Sequence, residues 1–290
     1  MKLIIKIFKI IIDIVSIAVL SIFIFTNLIC SKILNENYIL KELENTGYYD
    51  KIKEEVESDF ENYVAQSGLD EDVMKNIISD EKIKNDTETI IKNIYTGTNT
   101  QLDTTEIEEN LKKNIQESLK NTKVNATGQK AIDEYINKIA LQYKETMCHT
   151  KYEDTINKTL TKAKKYAEMA KKISLGTLIV LIIIIIITNI KKIQNTLSQI
   201  GIILTSSGIL YFIIDTMLQS NIKIANIFIL NNAISNVVKD IFIDILTNIK
   251  NYGILLILIG IICIIVANIV NINKEEKRKN KTKKVRKHQK

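Results

Sequence analysis

Four stretches of this chain carry almost no polar residues: 10–30, 173–190, 196–214 and 252–272. Each is close to the ~20 residues a helix needs to cross the ~30 Å hydrocarbon core of a bilayer. The second contains six consecutive isoleucines within "SLGTLIVLIIIIIITNIKKIQN" and has no polar stripe, which a helix buried in a soluble protein would keep. The third is the most polar, with Ser198, Gln199, Thr205, Ser206 and Ser207. The pattern predicts four transmembrane helices.

Between the first and second spans the apolar residues recur at helical spacing. Ile52, Val56, Phe60, Tyr63 and Val64 form one stripe, with Gly68 as a suitable C-terminal cap. Asp70 is placed to cap a short helix through Ile77 and Ile78. A helix over 80–95 carries Ile83, Ile90, Ile91 and Ile94 on one face and ends at Gly97. Thr105 and Glu108 fit a capping box ahead of Ile107, Leu111, Ile115 and Leu119. After "NATGQ" a long helix carries Ile132, Tyr135, Ile136, Ile139, Tyr143 and Met147. Another, with Ile156, Leu160, Ala163 and Ala167 on a face, runs into the second span without a stop. No strand-like alternation is sustained, so residues 31–172 read as an α-helical bundle.

Between the third and fourth spans, Ile234, Val237, Val238, Ile241, Phe242, Ile245 and Ile249 oppose Lys239, Asp240, Asp244 and Lys250. This is the signature of an amphipathic helix at about 233–250, lying on the membrane surface or packed on the helical domain. The fold class that follows is an all-α membrane protein: four transmembrane helices, with an extracytoplasmic α-helical bundle between the first and second. Its parts are an N-terminal anchor (1–30), the bundle (31–172), three further spans with the amphipathic helix (173–272) and a basic tail (273–290).

Charge gives the orientation. Residues 31–172 hold 22 lysines and 27 acidic residues, whereas the rest of the chain holds 18 basic and 6 acidic ones. Lys2, Lys6 and Lys9 precede the first span, Lys191 and Lys192 follow the second, and the tail carries Lys277, Arg278, Lys279, Lys283, Lys284, Arg286 and Lys287 among its ten basic residues. By the positive-inside rule both termini and the 190s turn are cytoplasmic and residues 31–172 face out, in a multi-pass protein of a bacterial cell membrane. Lys162, Lys164, Lys165, Lys171 and Lys172 run against this assignment and are outweighed by the tail. The tail suits anionic lipid, at ~1 kcal/mol per basic residue near a bilayer. It has no interleaved aromatics for base stacking, so nucleic acid is not expected.

Composition adds little chemistry. The chain has no proline, so no helix is kinked from within by a missing donor. Its three cysteines, Cys30, Cys148 and Cys263, form no disulfide framework. Ile29 before Cys30 does not fit a lipidation site, and the first apolar block is too long for a cleaved signal peptide. Cys148 and His149 are neighbours in a helix, which points them about 100° apart and disfavours a catalytic or metal pair. No HExxH, CxxC, GxSxG or phosphate-binding glycine loop is present. Catalytic residues, metal ligands and cofactor sites are therefore not expected, and the chain is not read as an enzyme. Asp13 and Asp215, the two ionisable residues inside the spans, fall near span ends where their carboxylates could reach water.

Small residues distinguish the spans from one another. Ser198, Gly201, Thr205 and Gly208 make a seam along the third, and Gly253, Gly260 and Ala267 recur every seventh residue along the fourth. Such seams permit the close backbone approach that drives helix association in lipid, so these spans are expected to pack antiparallel. The second span offers isoleucine on every face and reads as an anchor. The plan of span, helical outer domain and span resembles, in architecture, the sensory half of bacterial chemoreceptors and sensor kinases. The expectation is a membrane-anchored extracytoplasmic binding or scaffolding module, with the bilayer and a protein partner as its contacts. The alternative is an accessory subunit of a transport or signalling complex.

Overall fold

The computed structural model describes residues 2–67, 69–120, 126–148, 153–190, 192–220 and 232–288. Gly68, His149 and Lys191 lie outside the described residues. Among those described, the regular structure is entirely helical. The α-helices are α1 (Lys2–Ser31), α2 (Glu36–Asn45), α3 (Tyr48–Ser67), α4 (Asp80–Thr96), α5 (Thr105–Ser118), α6 (Ala126–Cys148), α7 (Glu153–Thr188), α8 (Ile193–Ser220) and α9 (Asn232–His288). A 3-10 turn, Glu71–Met74, lies between α3 and α4. Helices α1, α7, α8 and α9 are each long and apolar enough to cross a membrane, which makes this a multi-pass membrane protein.

The chain divides into two compact units. The first comprises Met1–Cys30, Tyr166–Ile227 and Phe242–Lys290; the second comprises Ser31–Lys165 and Phe228–Ile241.

The second unit is built around stripes spaced by one helical turn. On α3, Ile52, Val56, Phe60 and Val64 are each no more than 1% exposed; on α5, Ile107, Leu111 and Ile115 are wholly buried. Four-residue spacing stacks these side chains on one face, and burying each is worth ~1.5–3 kcal/mol relative to exposure. Helix α3 packs on α4, α6 and the 3-10 turn, while α5 packs on α6 and the same turn. Local chemistry sets the helix ends. The Ser79 hydroxyl accepts from the Lys82 amide at the start of α4, and Gly97, at φ +75°, closes its end with its N–H on the Asn93 carbonyl. The connection from the 3-10 turn to α4 carries Asn76 at φ +55°. Two asparagines one turn apart on α5 hold it: Asn114 Nδ2 donates to the Val73 and Lys75 carbonyls at 2.9 Å each, and Asn110 Nδ2 to the Ile77 carbonyl at 3.3 Å.

Several local expectations need correction. The turn capped by Asp70, whose carboxylate accepts from the Asp72 amide, ends at Met74, before Ile77 and Ile78. Helix α5 is not closed by a Thr105–Glu108 box. Asp103 accepts from the amide and hydroxyl of Thr105, and the Thr104 hydroxyl bonds Glu108. On α7, Ile156 and Ala163 are exposed, and the buried residue of this stretch is Asn157, which donates to the Thr98 carbonyl. Residues 233–250 are not a separate helix but the first turns of α9. Val237 is buried in the core of the second unit with Ile234 and Ile241 against it, whereas Ile249 belongs to a cluster with Tyr211, Leu28 and Leu256 in the first.

Candidate functional site

The first unit has α8 at its centre. Of its apolar stretch 33% is buried, against 11%, 17% and 22% for those of α1, α7 and α9. Ile203 of α8 packs with Ile12 of α1 and with Leu181 and Ile185 of α7. The isoleucine-rich second span is thus anchored to protein on one side and presents Ile182, Ile183, Ile186 and Ile187 outward on the others.

Beside this cluster a polar chain joins three spans. Lys9 and Asp13 stand one turn apart on α1, Asn189 follows the last residue of α7, and Gln199 lies in the second turn of α8. Lys9 Nζ donates to Asn189 Oδ1 at 2.5 Å, Asn189 Nδ2 donates to Gln199 Oε1 at 2.8 Å, and Gln199 Nε2 donates to Asp13 Oδ1 at 2.6 Å. Asn189 also donates to the Ile185 carbonyl at 2.9 Å. Both amides are buried, at 4% and 7% exposure. Every donor in the chain points the same way, from ammonium to carboxylate, so each bond polarises the next. A cation at one end and an anion at the other make the terminal bonds charge-assisted. Ionisable residues within spans are costly and mark functional positions by default, and this chain gives Asp13 its partner. Asp215 differs from the sequence expectation: at 4% exposure it is buried rather than reaching water.

The small residues of α8 and α9 meet directly. A β-carbon on Gly201 would lie 2.7 Å from the Gly260 carbonyl oxygen, and one on Gly208 would lie 2.6 Å from that of Gly253. The second pair is seven residues further along α8 and seven back along α9, so both belong to one antiparallel register. Thr205 sits against Gly260. Ser198 is half-buried and Ala267 is buried on the same helices. The hydroxyls of Ser16, Ser21, Thr205 and Ser207 are buried in this unit without a hydrogen-bond partner.

The basic residues divide by position. Lys9 is in the polar chain; Lys6 and Lys192 are exposed. Lys2 and the tail residues Lys277, Arg278, Lys279, Lys283, Lys284, Arg286 and Lys287 lie on α1 and α9, their side chains outside the described set. The sequence marks Gln199 only as one of the polar residues of the third span and does not mark Asn189, although amide side chains at the edges of apolar blocks are a usable signal.

The second unit has its own polar core. Lys82 Nζ bonds both Asp86 oxygens, at 2.9 and 2.8 Å, and the Asp103 carbonyl at 2.7 Å; the Tyr143 hydroxyl donates to Asp86 Oδ2 at 2.6 Å. Burial, then the bond to Asp86 and its charge, pushes the Tyr143 hydroxyl well above the usual phenol range. The bonds from the Thr105 hydroxyl and amide hold Asp103 below the usual carboxylate range. Asp59 joins α3 to α6 by accepting from Gln142 and Thr146. Among the described residues no group of three or more His, Cys, Asp and Glu side chains is placed to hold a metal ion. No protein-family model matches the chain, and neither a curated protein nor a solved structure matches it.

Proposed function

We propose that this protein is a membrane-anchored extracytoplasmic binding or scaffolding module of the cell envelope, with no catalytic step of its own. The observation that carries the reading is the second unit, a helical body with a continuous apolar core and a hydrogen-bonded Lys82–Asp86–Tyr143 cluster, borne by a chain with four spanning helices. The charge asymmetry along the chain supports cytoplasmic termini and an outward-facing 31–172 segment. A protein partner on that segment and anionic lipid at the basic tail are its contacts.

A second reading, an accessory subunit of a transport or signalling complex, is favoured by the polar chain from Lys9 to Asp13. Anchoring alone requires no hydrogen-bonded network between three spans. Cross-linking in intact cells followed by purification in mild detergent separates the two. A partner captured through residues 31–172 supports the binding module, whereas a stoichiometric multispan partner captured through the spans supports the subunit. The orientation is checked by labelling from outside the cell, with the three native cysteines replaced by serine. Asn99→Cys is expected to react and Asn280→Cys to stay protected; the reverse pattern overturns the reading.

A further inference from the structure

Five lysines of α7, Lys162, Lys164, Lys165, Lys171 and Lys172, run against the charge asymmetry of the chain, and their helix gives them little counter-charge. Between Thr155 and Lys172 the sequence holds six lysines and one acid, Glu168. No ion pair among the described residues engages any of the five. Four of them are exposed and Lys171 is half-buried. Helix α7 continues from them into the apolar stretch at Ile173 without a break.

Spacing gathers part of this run onto one face. Lys162, Lys165, Tyr166, Met169, Lys172 and Ile173 fall at i, i+3, i+4, i+7, i+10 and i+11, one side of an α-helix. The apolar members of the face are uncovered: Tyr166 is 61% exposed, Met169 48% and Ile173 61%. Val180, Ile183 and Ile187, exposed as well, continue the same face along the second span. At ~1.5 Å per residue, Lys172 stands at the edge of the apolar stretch, Met169 ~6 Å beyond it and Lys165 ~12 Å beyond. Headgroups occupy about 5–8 Å on each side of the hydrocarbon core. Met169 is therefore at headgroup depth and Tyr166 at its outer limit, where aromatic rings of membrane proteins gather. The long apolar stem of Lys165 lets its ammonium reach back towards the phosphates.

We propose that this face of α7 binds anionic phospholipid in the leaflet from which the helix emerges, with Lys165 and Lys172 on the phosphates and Tyr166 and Met169 among the headgroups. A lipid surface fits better than a protein partner because the cationic face runs straight into the outward-facing face of a span. Three cations with no acid between them also match a sheet of phosphates rather than the mixed charge of a protein. Three spans separate Lys172 from the basic tail, so the two contacts are on opposite leaflets. The proposal holds whichever side of the membrane the second unit occupies.

The chain has no tryptophan, so Ile173→Trp places a single fluorescent reporter at the end of the face. The full chain carrying it is reconstituted in phosphatidylcholine vesicles with a minority of phosphatidylglycerol, one lipid or the other being brominated on its acyl chains. Brominated phosphatidylglycerol is expected to quench the reporter more than its bulk fraction allows, and molar salt should remove the excess. Lys172→Gln should lower the local enrichment by up to about fivefold, Lys165→Gln by less and Lys162→Gln least, because the attraction fades within a Debye length. Lys283→Gln with Lys284→Gln, on the tail, should leave it unchanged. Quenching at the bulk fraction, or enrichment unaltered when Lys165→Gln and Lys172→Gln are combined, overturns the proposal. Loss of enrichment in the tail variant overturns it by assigning the lipid to the tail. A reporter quenched by neither brominated lipid also overturns it, because protein, a partner or a second copy, then covers the face.

Discussion

Gly208 and Gly253 face each other so closely across α8 and α9 that a β-carbon on the first would touch the backbone of the second, at 2.6 Å from its carbonyl oxygen. Contact at that range requires glycine on α8, because neither a backbone carbonyl nor the helix behind it can move aside cheaply. Gly201 and Gly260 repeat the relationship seven residues away. Lipid tails are as apolar as isoleucine, so the gain from this contact is close packing rather than the hydrophobic effect. Gly208→Ile and Gly260→Ile should each separate the pair and cost about 1–3 kcal/mol or more, the range for overpacking. Ile262→Leu, on an exposed face of the same helix, should cost nothing measurable. Thermal inactivation in detergent reads all three. Unchanged stability in both glycine variants would mean the seam does not hold the spans together.

The polar chain predicts coupling between residues that never touch. Lys9 and Asp13 are joined through two amides, so removing either charge leaves a polarised bond facing nothing. Lys9→Met and Asp13→Asn should each destabilise the bundle. Their double variant should lose less than the two losses added, by about 0.5 kcal/mol or more, as members of one network do. Gln199→Leu, which breaks the chain in its middle, should reduce the coupling to what the direct i,i+4 attraction of Lys9 and Asp13 leaves. Strict additivity in a double-mutant cycle in detergent would reduce the chain to independent contacts.

The parts of the fold that were legible in sequence are those set by local periodicity. The α3 and α5 stripes repeat every four residues and bury as a face, and Gly97 ends α4 as glycine after a periodic run should. Helix α2 was not anticipated: its apolar side, Ile39, Leu40 and Leu43, spans little more than one turn, too short for a periodicity to stand out. On α7 the apolar residues marked the wrong face: Asn157 is inward because the Thr98 carbonyl needs a donor, which no hydropathy pattern encodes. The segment at 233–250 looked separable because its polarity changes at Asn251. Helix propagation needs no constant polarity, and without proline nothing stops α9 there. The polar chain was illegible for a different reason: its members are up to 190 residues apart along a chain of 290, and only the packing of three spans makes them neighbours.

Val237 lies in α9 yet is 4% exposed in the core of the second unit. Segment 31–165 therefore holds the capped helices and nearly the whole apolar core, but not the residue that completes it. Expressed alone, that segment should give a strongly helical circular dichroism spectrum and melt cooperatively, at a lower temperature than the same unit in the full chain. Within the full chain Val237→Ala should cost about 1–3 kcal/mol as a core truncation. Val238→Ala, 45% exposed beside it, should cost far less. A random-coil spectrum from the segment, or equal effects of the two substitutions, would show that the core does not depend on α9 in this way.

The Tyr143–Asp86 bond makes the second unit sensitive to alkali. Ionising Tyr143 would bury a phenolate and set it against the Asp86 carboxylate inside the core, with Cys148 and Glu106 adding smaller pushes the same way. The hydroxyl therefore holds its proton to higher pH when folded than when unfolded, where phenols ionise near ~10. A group whose folded pKa is raised contributes stability that is complete below the unfolded value and is lost as pH climbs towards the folded one. Stability should accordingly be level with respect to Tyr143 below pH ~10 and fall above it. Tyr49 and Tyr95, each pushed up to about 12 chiefly by burial, add to the same decline. Tyr143→Phe should lower stability at neutral pH by about 1–3 kcal/mol, because Asp86 loses a buried donor. It should also make the alkaline decline shallower, since one fewer proton is then released on unfolding relative to the folded state. Urea melts followed by circular dichroism at pH 8 and at several values above ~10 measure both effects. An alkaline slope as steep in Tyr143→Phe as in the parent would mean that the proton on this hydroxyl is not what ties the core to pH.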